Sequence, residues 1–253
     1  MIPKMNRERM QSLVSLTFDD GLHCHFERAL PILNELGFPA TFFLVANSEP
    51  ILADGFEHPN WKKIVWSTEE IALLKKMTQQ GHEIGSHSVH HLRDFLDKDP
   101  DLEASHSKRW IEKQLGTEIS SYCYPFSYFN GRFRRAVVKA GYRQARWGSS
   151  GIYYPLRDPI DRFKVDCRLI GEHGTEDVQN WTRPDSWHVL MFHGIGTLDD
   201  GWSPISESEF RRQMEALARC RDAGAVEVVT FEDGAQRLSP IRGFWAKMLG
   251  LRA

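Results

Sequence analysis

Two adjacent carboxylates, Asp19 and Asp20, are the residues of this chain whose types and placement point most directly to chemistry. They follow an apolar, β-prone segment over residues 13–18 and precede Gly21. Two neighbouring carboxylates at the end of a strand repel each other, and removing them from water costs free energy. A fold keeps such a pair when a cation lies between them or when the two groups have separate tasks.

A histidine-rich segment further along the chain, His87-Ser88-Val89-His90-His91, offers the partners for such a cation. The i, i+4 spacing of His87 and His91 predicts that one helical turn presents both imidazoles on the same face. With one carboxylate they form an Asp/His/His site that leaves positions for water and substrate, as a catalytic divalent metal requires. His90 points about 100° away from His91 on such a turn and is expected outside the ligand set. A polar loop without a metal is the alternative.

The second carboxylate of the pair would stay free as a general base, because a water that attacks a carbonyl must lose its proton. The alternative for one of the two aspartates is that it caps the following helix. His193 ends an apolar segment over residues 187–192. A histidine at the end of a strand is well placed to act as a general acid toward a leaving amine or alkoxide. A structural, hydrogen-bonded histidine is the alternative there.

Strand-like apolar segments alternate with helical patterns, which predicts an α/β fold with a mainly parallel sheet. The expected strands cover residues 13–18, 40–45, 82–86, 121–124, 142–146, 163–166, 187–192 and 226–230. The expected helices cover residues 26–36, 67–80, 101–115, 131–140 and 207–223. The candidate residues fall just after strands, and the carboxyl ends of parallel strands gather the active site in such folds. The irregular segments 47–62 and 146–186 are expected to be functional loops over these ends.

The composition narrows the function further. The chain has 253 residues and a formal net charge of −2, which suits one large domain and gives no electrostatic argument for nucleic acid or an anionic membrane as a partner. Its four cysteines form no C-x-x-C pair, which fits a reducing compartment. The N-terminal residues lack the apolar core of a signal peptide, and no apolar stretch is long enough to span a bilayer. The expected location is therefore cytoplasmic, and the sequence gives no indication of the oligomeric state.

Three ordered motifs resemble those of the polysaccharide deacetylase (NodB-homology) family, carbohydrate esterase family four. They are Thr17-Phe18-Asp19-Asp20-Gly21, His87-Ser88-Val89-His90-His91 and Leu190-Met191-Phe192-His193. The resemblance covers about residues 13–235 of a single catalytic domain over residues 1–253. It implies a distorted (β/α) barrel that carries its metal at the carboxyl ends of the strands.

The resemblance also implies a role for each candidate residue. Asp20, His87 and His91 are expected to bind Zn²⁺ or a similar divalent ion such as Co²⁺, Ni²⁺ or Mn²⁺. Asp19 is expected to be the general base, and His193 is expected to be the general acid.

The third motif of the family is matched only in part. Its turn corresponds to Tyr124-Pro125-Phe126, and the backbone N–H of Phe126 is expected to help hold the oxyanion. The motif often begins with an arginine that steadies the base aspartate, but Cys123 stands in that place, and Ser127 replaces a frequent glycine. We expect another cation to compensate, with Arg162 and Arg168 as the candidates.

The fourth motif is poorly matched, and Asp166 is the expected carboxylate that raises the pKa of His193. A surface position for Asp166 is the alternative. Together these features predict a metal-dependent hydrolase that removes N-acetyl, or less favourably O-acetyl, groups from a glycan or a glycan precursor. The alternatives are an allantoinase-type cyclic amide hydrolase on the same scaffold and a catalytically silent glycan-binding protein.

Overall fold

The strand β1 (Ser12–Phe18) lies at the centre of the sheet, because all seven of its residues are buried and most are apolar or small. The computed structural model describes residues 10–46, 62–151, 154–156, 159–172 and 177–238. Within these ranges the other strands are β2 (Thr41–Leu44), β3 (Glu83–Ser86), β4 (Ser121–Cys123), β5 (Gln144–Arg146), β6 (Tyr154–Pro155), β7 (Arg168–Leu169), β8 (Ser186–Phe192) and β9 (Val226–Val228).

The strands follow the order β5-β4-β3-β2-β1-β8-β6, with β7 beside β8 and β9 beside β1. Every pairing is parallel except that of β6 with β8. The predicted distorted (β/α) barrel is confirmed, and its distortion lies where the ladder runs out at β5 and β6. The segment predicted as a strand over residues 163–166 contributes only a single bridge, from Val165 to Arg146.

Most helices cover the outer face of the sheet. The helix predicted over residues 26–36 is a π-helical turn (His25–Ala29) followed by an α-helix, and the helices over residues 93–98 and 231–237 were not expected from the sequence. The α-helices are α1 (Leu30–Leu36), α2 (Thr68–Gln79), α3 (Arg93–Lys98), α4 (Pro100–Leu115), α5 (Gly131–Lys139), α6 (Glu207–Asp222) and α7 (Phe231–Arg237). Ser67 and Glu70 form a capping box at the start of α2, which satisfies two of the amides that a helix leaves unpaired. Gly37 ends α1 in the left-handed conformation that suits glycine.

Two apolar clusters follow from the alternation of side chains along the strands. Phe18, Phe42 and Phe192 stack against one another on the outer face, where Phe210 of α6 packs edge-on against Phe192. Burying one such aromatic side chain contributes roughly 1.5–3 kcal/mol. The opposite cluster fills the barrel and includes Leu13, Phe43, Val189, Trp187 and Phe231. Since Phe231 begins α7, that helix closes the amino-terminal end of the barrel.

The parallel register brings the last residues of neighbouring strands to one edge. Phe18 of β1 lies opposite both Phe42 of β2 and Phe192 of β8. The residues that follow β1, β3 and β8 therefore meet at the carboxyl edge of the barrel. No helix in the described ranges is both long and apolar enough to cross a membrane.

Candidate metal and active site

A tight turn after β1 separates the two adjacent carboxylates. The amide of Asp19 still donates to the carbonyl of Phe192, so this residue continues the sheet. Asp20 and Gly21 then both adopt the left-handed conformation, with φ of 74° and 69°. A non-glycine residue rarely takes this conformation, and such strain concentrates at functional sites. The turn directs the carboxylates of Asp19 and Asp20 to different partners.

The loop after β3 carries the two histidines, and it is not the helical turn that their spacing predicts. Ser88 and His91 have φ of 72° and 55°, and no helix begins before Arg93. The hydroxyl of Ser88 accepts the His91 amide at 3.0 Å. Buried Glu103 of α4 accepts the amide of His90 at 3.1 Å and binds its ring nitrogen Nδ1 at 2.5 Å. These tertiary contacts replace helical hydrogen bonds and hold His90 outside the cluster, as expected.

Asp20, His87 and His91 come together as a buried cluster whose potential ligand atoms lie within 4.8 Å of one another. Oδ1 of Asp20 lies 3.5 Å from Nε2 of His87 and 3.3 Å from Nε2 of His91. Nδ1 of His87 donates to the carbonyl of Cys123 at 2.9 Å, which leaves the lone pair at Nε2 facing the cluster. Oδ1 of Asp20 is buried and forms no hydrogen bond with the described residues.

These features fit a divalent metal. Two neutral imidazoles and one carboxylate form a common donor set for Zn²⁺ and related ions, with positions left for other ligands. An ion between the three side chains would satisfy the orphaned Asp20 oxygen, whose burial is otherwise costly. Interaction with the neighbouring basic groups, His91 foremost, holds the pKa of the Asp20 carboxyl below its usual value despite burial. That carboxyl is therefore ready to bind a cation.

Asp19 lies beside this cluster and pairs with a different cation. Its Oδ2 accepts a hydrogen bond from Nη2 of Arg146, the last residue of β5. The other oxygen, Oδ1, is buried and makes no hydrogen bond with any residue that the structure describes. Burial raises the pKa of the Asp19 carboxyl, but the charges of Arg146 and His87 outweigh that effect and lower it overall.

The identity of this cation corrects a prediction from sequence. Arg162 donates to the backbone carbonyl of Leu238 at 3.0 Å, and Arg168 donates to that of Gly151 at 2.5 Å. Neither of the two expected arginines is the partner of Asp19. The predicted strand over residues 163–166, which the two arginines flank, forms only a bridge. The partner of Asp19 is instead Arg146, at the end of β5.

His193 follows β8 and faces the same cluster from the other side. Its Nε2 lies 3.8 Å from Oδ2 of Asp19, and the indole of Trp202 packs edge-on against its ring with centroids 4.9 Å apart. Nε2 of buried His25 donates to the His193 carbonyl at 2.6 Å, which fixes the backbone there. Burial lowers the pKa of His193, although Asp19 and Asp20 act in the opposite direction.

The expected pairing of Asp166 with His193 is wrong. Oδ1 of Asp166 accepts the amides of Ser150 at 3.1 Å and Cys167 at 2.7 Å, and Oδ2 accepts the Ser150 hydroxyl. Gly148 packs so closely that an added Cβ would come within 2.8 Å of this carboxylate. Asp166 is buried, so it is not a surface residue either, and it fixes the loop after β5.

A cleft of about 380 Å³ opens above the cluster. It is lined by Asp19, Asp20, His87, His91, Tyr124, Phe126, Ser127, Ser149, Met191, His193 and Trp202. Phe126 and Ser127 both have left-handed backbones, with φ of 54° and 53°. Two hydrogen bonds close this turn: the Ser127 amide donates to the Tyr124 carbonyl, and the Tyr128 amide donates to the Pro125 carbonyl. Two of the lining residues, Ser149 and Trp202, were absent from the sequence-based set because they lie in loops whose placement the sequence does not predict, whereas Met191 lies near the end of β8.

Residues 6–145 match the family model described as Polysaccharide deacetylase. The matched stretch contains the Asp pair and the histidine loop, whereas Arg146 and His193 lie beyond it. The chitooligosaccharide deacetylase of Sinorhizobium fredii is 27% identical over 172 residues, which cover 68% of this chain and 60% of that protein. The peptidoglycan-N-acetylglucosamine deacetylase of Bacillus cereus is 26% identical over 189 residues, which cover 74% of each. YxkH of Bacillus subtilis is 27% identical over 140 residues, which cover 54% of this chain and 45% of YxkH.

Solved structures share the fold. The Xyl-CE4 domain of a multidomain xylanase from the hindgut metagenome of Trinervitermes trinervoides superimposes with a TM-score of 0.56 at 17% identity, covering 90% of this chain and 91% of that chain. A family 4 acetyl xylan esterase from Clostridium thermocellum, in complex with a cobalt ion, gives a TM-score of 0.56 at 17% identity, covering 95% and 93%. At these identities the likeness concerns the fold alone.

Proposed function

Because this chain belongs to the polysaccharide deacetylase family, we propose that it is a metal-dependent deacetylase that hydrolyses N-acetyl groups on a glycan or a glycan precursor. Two buried oxygens carry this proposal, Oδ1 of Asp20 and Oδ1 of Asp19, which make no hydrogen bond with the described residues. The first lies against two imidazole nitrogens, and the second belongs to a carboxylate already held by Arg146. Oδ1 of Asp20 is therefore suited to bind a metal, and Oδ1 of Asp19 is suited to accept a proton.

Asp20, His87 and His91 would hold the metal. A divalent ion bound there supplies a Lewis acid that polarises an acetyl carbonyl and acidifies a water molecule. His87 presents Nε2 because its Nδ1–H is fixed on the carbonyl of Cys123. The His91 amide is held by Ser88, so the backbone of the loop is set before any ion arrives.

Asp19 would act as the general base and take the proton of the attacking water at Oδ1. His193 would act as the general acid and deliver a proton from Nε2 to the leaving sugar nitrogen. Both groups lie in the same cleft, with Nε2 of His193 3.8 Å from the Asp19 carboxylate. Acid and base groups positioned in this way typically contribute factors of about 10²–10⁴ to the rate.

The backbone N–H of Phe126 would donate to the oxyanion of the tetrahedral intermediate. The left-handed backbone at Phe126 supports this role, because this conformation reverses the chain beside His91, whose ring lies 4.4 Å from that of Phe126. The turn is closed by the next two amides, those of Ser127 and Tyr128.

A sugar ring is the substrate that best suits the rim of the cleft. The side chains of Phe126 and Trp202 line it while remaining 42% and 44% exposed. Exposed aromatic side chains at a cleft mark a binding surface, and the C–H face of a pyranose packs well on an aromatic ring. Two relatives are named as deacetylases of chitooligosaccharide and of peptidoglycan N-acetylglucosamine, which favours N-acetyl over O-acetyl groups.

Acetate release tests this function directly. Purified protein loaded with Zn²⁺ is incubated with N-acetylated chitooligosaccharides and, in parallel, with O-acetylated xylan. We expect acetate from the N-acetylated substrate, loss of release after chelation, and recovery after metal is returned. Release that persists without metal would contradict the proposal. Hydrolysis of a cyclic amide without acetate, or glycan binding without any hydrolysis, would favour the two alternative functions.

A further inference from the structure

The guanidinium of Arg146 is buried in an unusual environment. The residue is 2% exposed, and its Nη1 and Nη2 each lie 2.7 Å from a cysteine sulfur, those of Cys167 and Cys123. The ring of Phe43 covers the guanidinium, with its centre 5.5 Å from Cζ. Asp19 receives a hydrogen bond from Nη2.

Only one of these neighbours compensates the charge. A thiol is a weak hydrogen-bond acceptor, so neither cysteine sulfur replaces a carboxylate as the partner of the guanidinium. A guanidinium removed from water costs several kcal/mol unless a carboxylate pairs with it. Asp19 is therefore the residue that accounts for an arginine at this depth.

The sheet register explains how the arginine reaches this carboxylate. In the parallel pair of β4 and β5, Cys123 lies directly opposite Arg146. Neighbouring strands are about 4.8 Å apart, and residues in register point to the same face. A long side chain at either position can therefore reach the same point above the cluster.

We propose that Arg146 is a positioning residue that holds Asp19 by Oδ2 and so leaves Oδ1 available for the proton, and that the register makes positions 123 and 146 interchangeable for this task. This inference rests on the proposed role of Asp19 as the base. Cys123 then has a steric role, because a small side chain on β4 leaves room for the guanidinium that arrives from β5.

Replacing the arginine tests the first part of the inference. Arg146→Met keeps an unbranched apolar stem but removes the donors, and Arg146→Lys supplies a point charge without the planar fork. We expect both variants to retain metal while kcat falls on the order of 10²-fold, because a misplaced base costs about that much. KM should stay near its original value. Arg134→Met is the matched control, since Arg134 pairs with Asp161 at 3.0 Å and is not among the residues that line the cleft.

The double substitution Cys123→Arg/Arg146→Cys tests the second part. It moves the guanidinium one strand across the sheet and should raise kcat at least tenfold above that of Arg146→Met. Metal content, measured for each variant, normalises the rates. A folded, metal-loaded Arg146→Met protein with unchanged kcat would overturn the positioning role. A folded, metal-loaded double variant that is no faster than Arg146→Met would overturn the exchange between strands.

Crystal structures of the metal-free wild type, Arg146→Met and the double variant separate this inference from the proposed function. If the wild type releases acetate from no substrate, the proposed function fails, but the orientation of Asp19 can still be compared. We expect Asp19 to turn away in Arg146→Met and to return in the double variant, with its Oδ2 on the relocated guanidinium. An Asp19 side chain that is identical in all three structures would contradict the inference.

Discussion

Asp19 lies at the carboxyl edge of the barrel and Glu83 at its amino edge, and their surroundings favour opposite protonation states of the two carboxyl groups. At the carboxyl edge, the charges of Arg146 and His87 hold the pKa of Asp19 below its usual value in spite of burial. At the amino edge, burial raises the pKa of Glu83 from 4.5 to about 7. Oε2 of Glu83 receives hydrogen bonds from the Thr41 hydroxyl at 2.8 Å and the Glu232 amide at 2.9 Å.

The difference lies in what surrounds each group and not in the group itself. A charged partner preserves the anion at the edge where the cleft opens. At the other edge, neutral donors fix the Glu83 side chain beneath α7, and no cation among the described residues pairs with it. Asp19 lines the cleft beside His87 and His193. Glu83 lies at the opposite edge, away from those groups, so its raised pKa bears on the stability of the fold.

The largest expected effect is on kcat, which should fall when Asp19 is replaced but not when Glu83 is replaced. Asp19→Asn should lower kcat by a factor on the order of 10²–10⁴, because the amide cannot take the proton of the attacking water. Glu83→Gln should leave kcat nearly unchanged, because Glu83 lies at the opposite edge. Acetate release per bound metal measures both. Comparable losses in the two variants would remove the distinction between the edges.

A second effect concerns stability and pH. The raised pKa means that the folded protein retains a proton on Glu83 that the unfolded chain releases above about pH 4.5. The retained proton stabilises the folded protein. Its contribution to the free energy of unfolding, about 3 kcal/mol, is fully present below pH 4.5 and is lost as pH rises through 7. Urea unfolding of wild type and Glu83→Gln across this range measures it. A stability difference between the two proteins that does not vary with pH would show that Glu83 titrates normally.

A smaller effect concerns the donors that hold Glu83. Thr41→Val removes the hydroxyl that donates to Glu83 and accepts the Phe231 amide at 2.9 Å. We expect a loss of about 1–3 kcal/mol in the free energy of unfolding, because buried polar groups then lack partners. Thr78→Val, at a half-buried helical position whose hydroxyl bonds only to the Lys75 carbonyl, is the control and should change stability by less than about 0.5 kcal/mol. Equal effects of the two substitutions would contradict the role of Thr41.

The smallest effect concerns Asp166, another buried carboxylate at the carboxyl edge. Asp166 contacts the loop of Ser150 and none of the reacting groups. Asp166→Ala should raise KM by a small factor through a loosened loop beside Ser149, while kcat and metal content stay close to normal. Steady-state kinetics distinguishes this from the pairing expected from sequence, in which kcat falls because His193 loses its carboxylate.

The parts of the site that sequence predicts are those fixed by local pattern. Asp19, Asp20 and His193 follow strands that their apolar segments define, and parallel pairing brings them to one edge. The fold class follows from the same alternation of strands and helices. Arg146 was missed although it ends a predicted strand, because only the register of β4 with β5 places it opposite Cys123.

The remaining differences arise from tertiary contacts that spacing does not encode. His87 and His91 converge through a left-handed loop anchored by Ser88 and by Glu103, which is distant in sequence. Asp166 was expected beside His193 because it ends the predicted strand over residues 163–166. The close approach of Gly148 and the hydroxyl of Ser150 instead hold it elsewhere. Residues 47–61, most of one predicted loop, lie outside the described part of the chain.

We infer that the two neighbouring aspartates have separate roles, in which Asp20 binds the metal and Asp19 takes the proton. The metal content of purified variants, measured by inductively coupled plasma mass spectrometry beside acetate release, tests this most directly. We expect about one divalent ion per chain in the wild type and in inactive Asp19→Asn, and none in Asp20→Ala or His91→Ala, because each of the latter removes a ligand. Full metal retention in Asp20→Ala and His91→Ala, or loss of metal from Asp19→Asn alone, would contradict it.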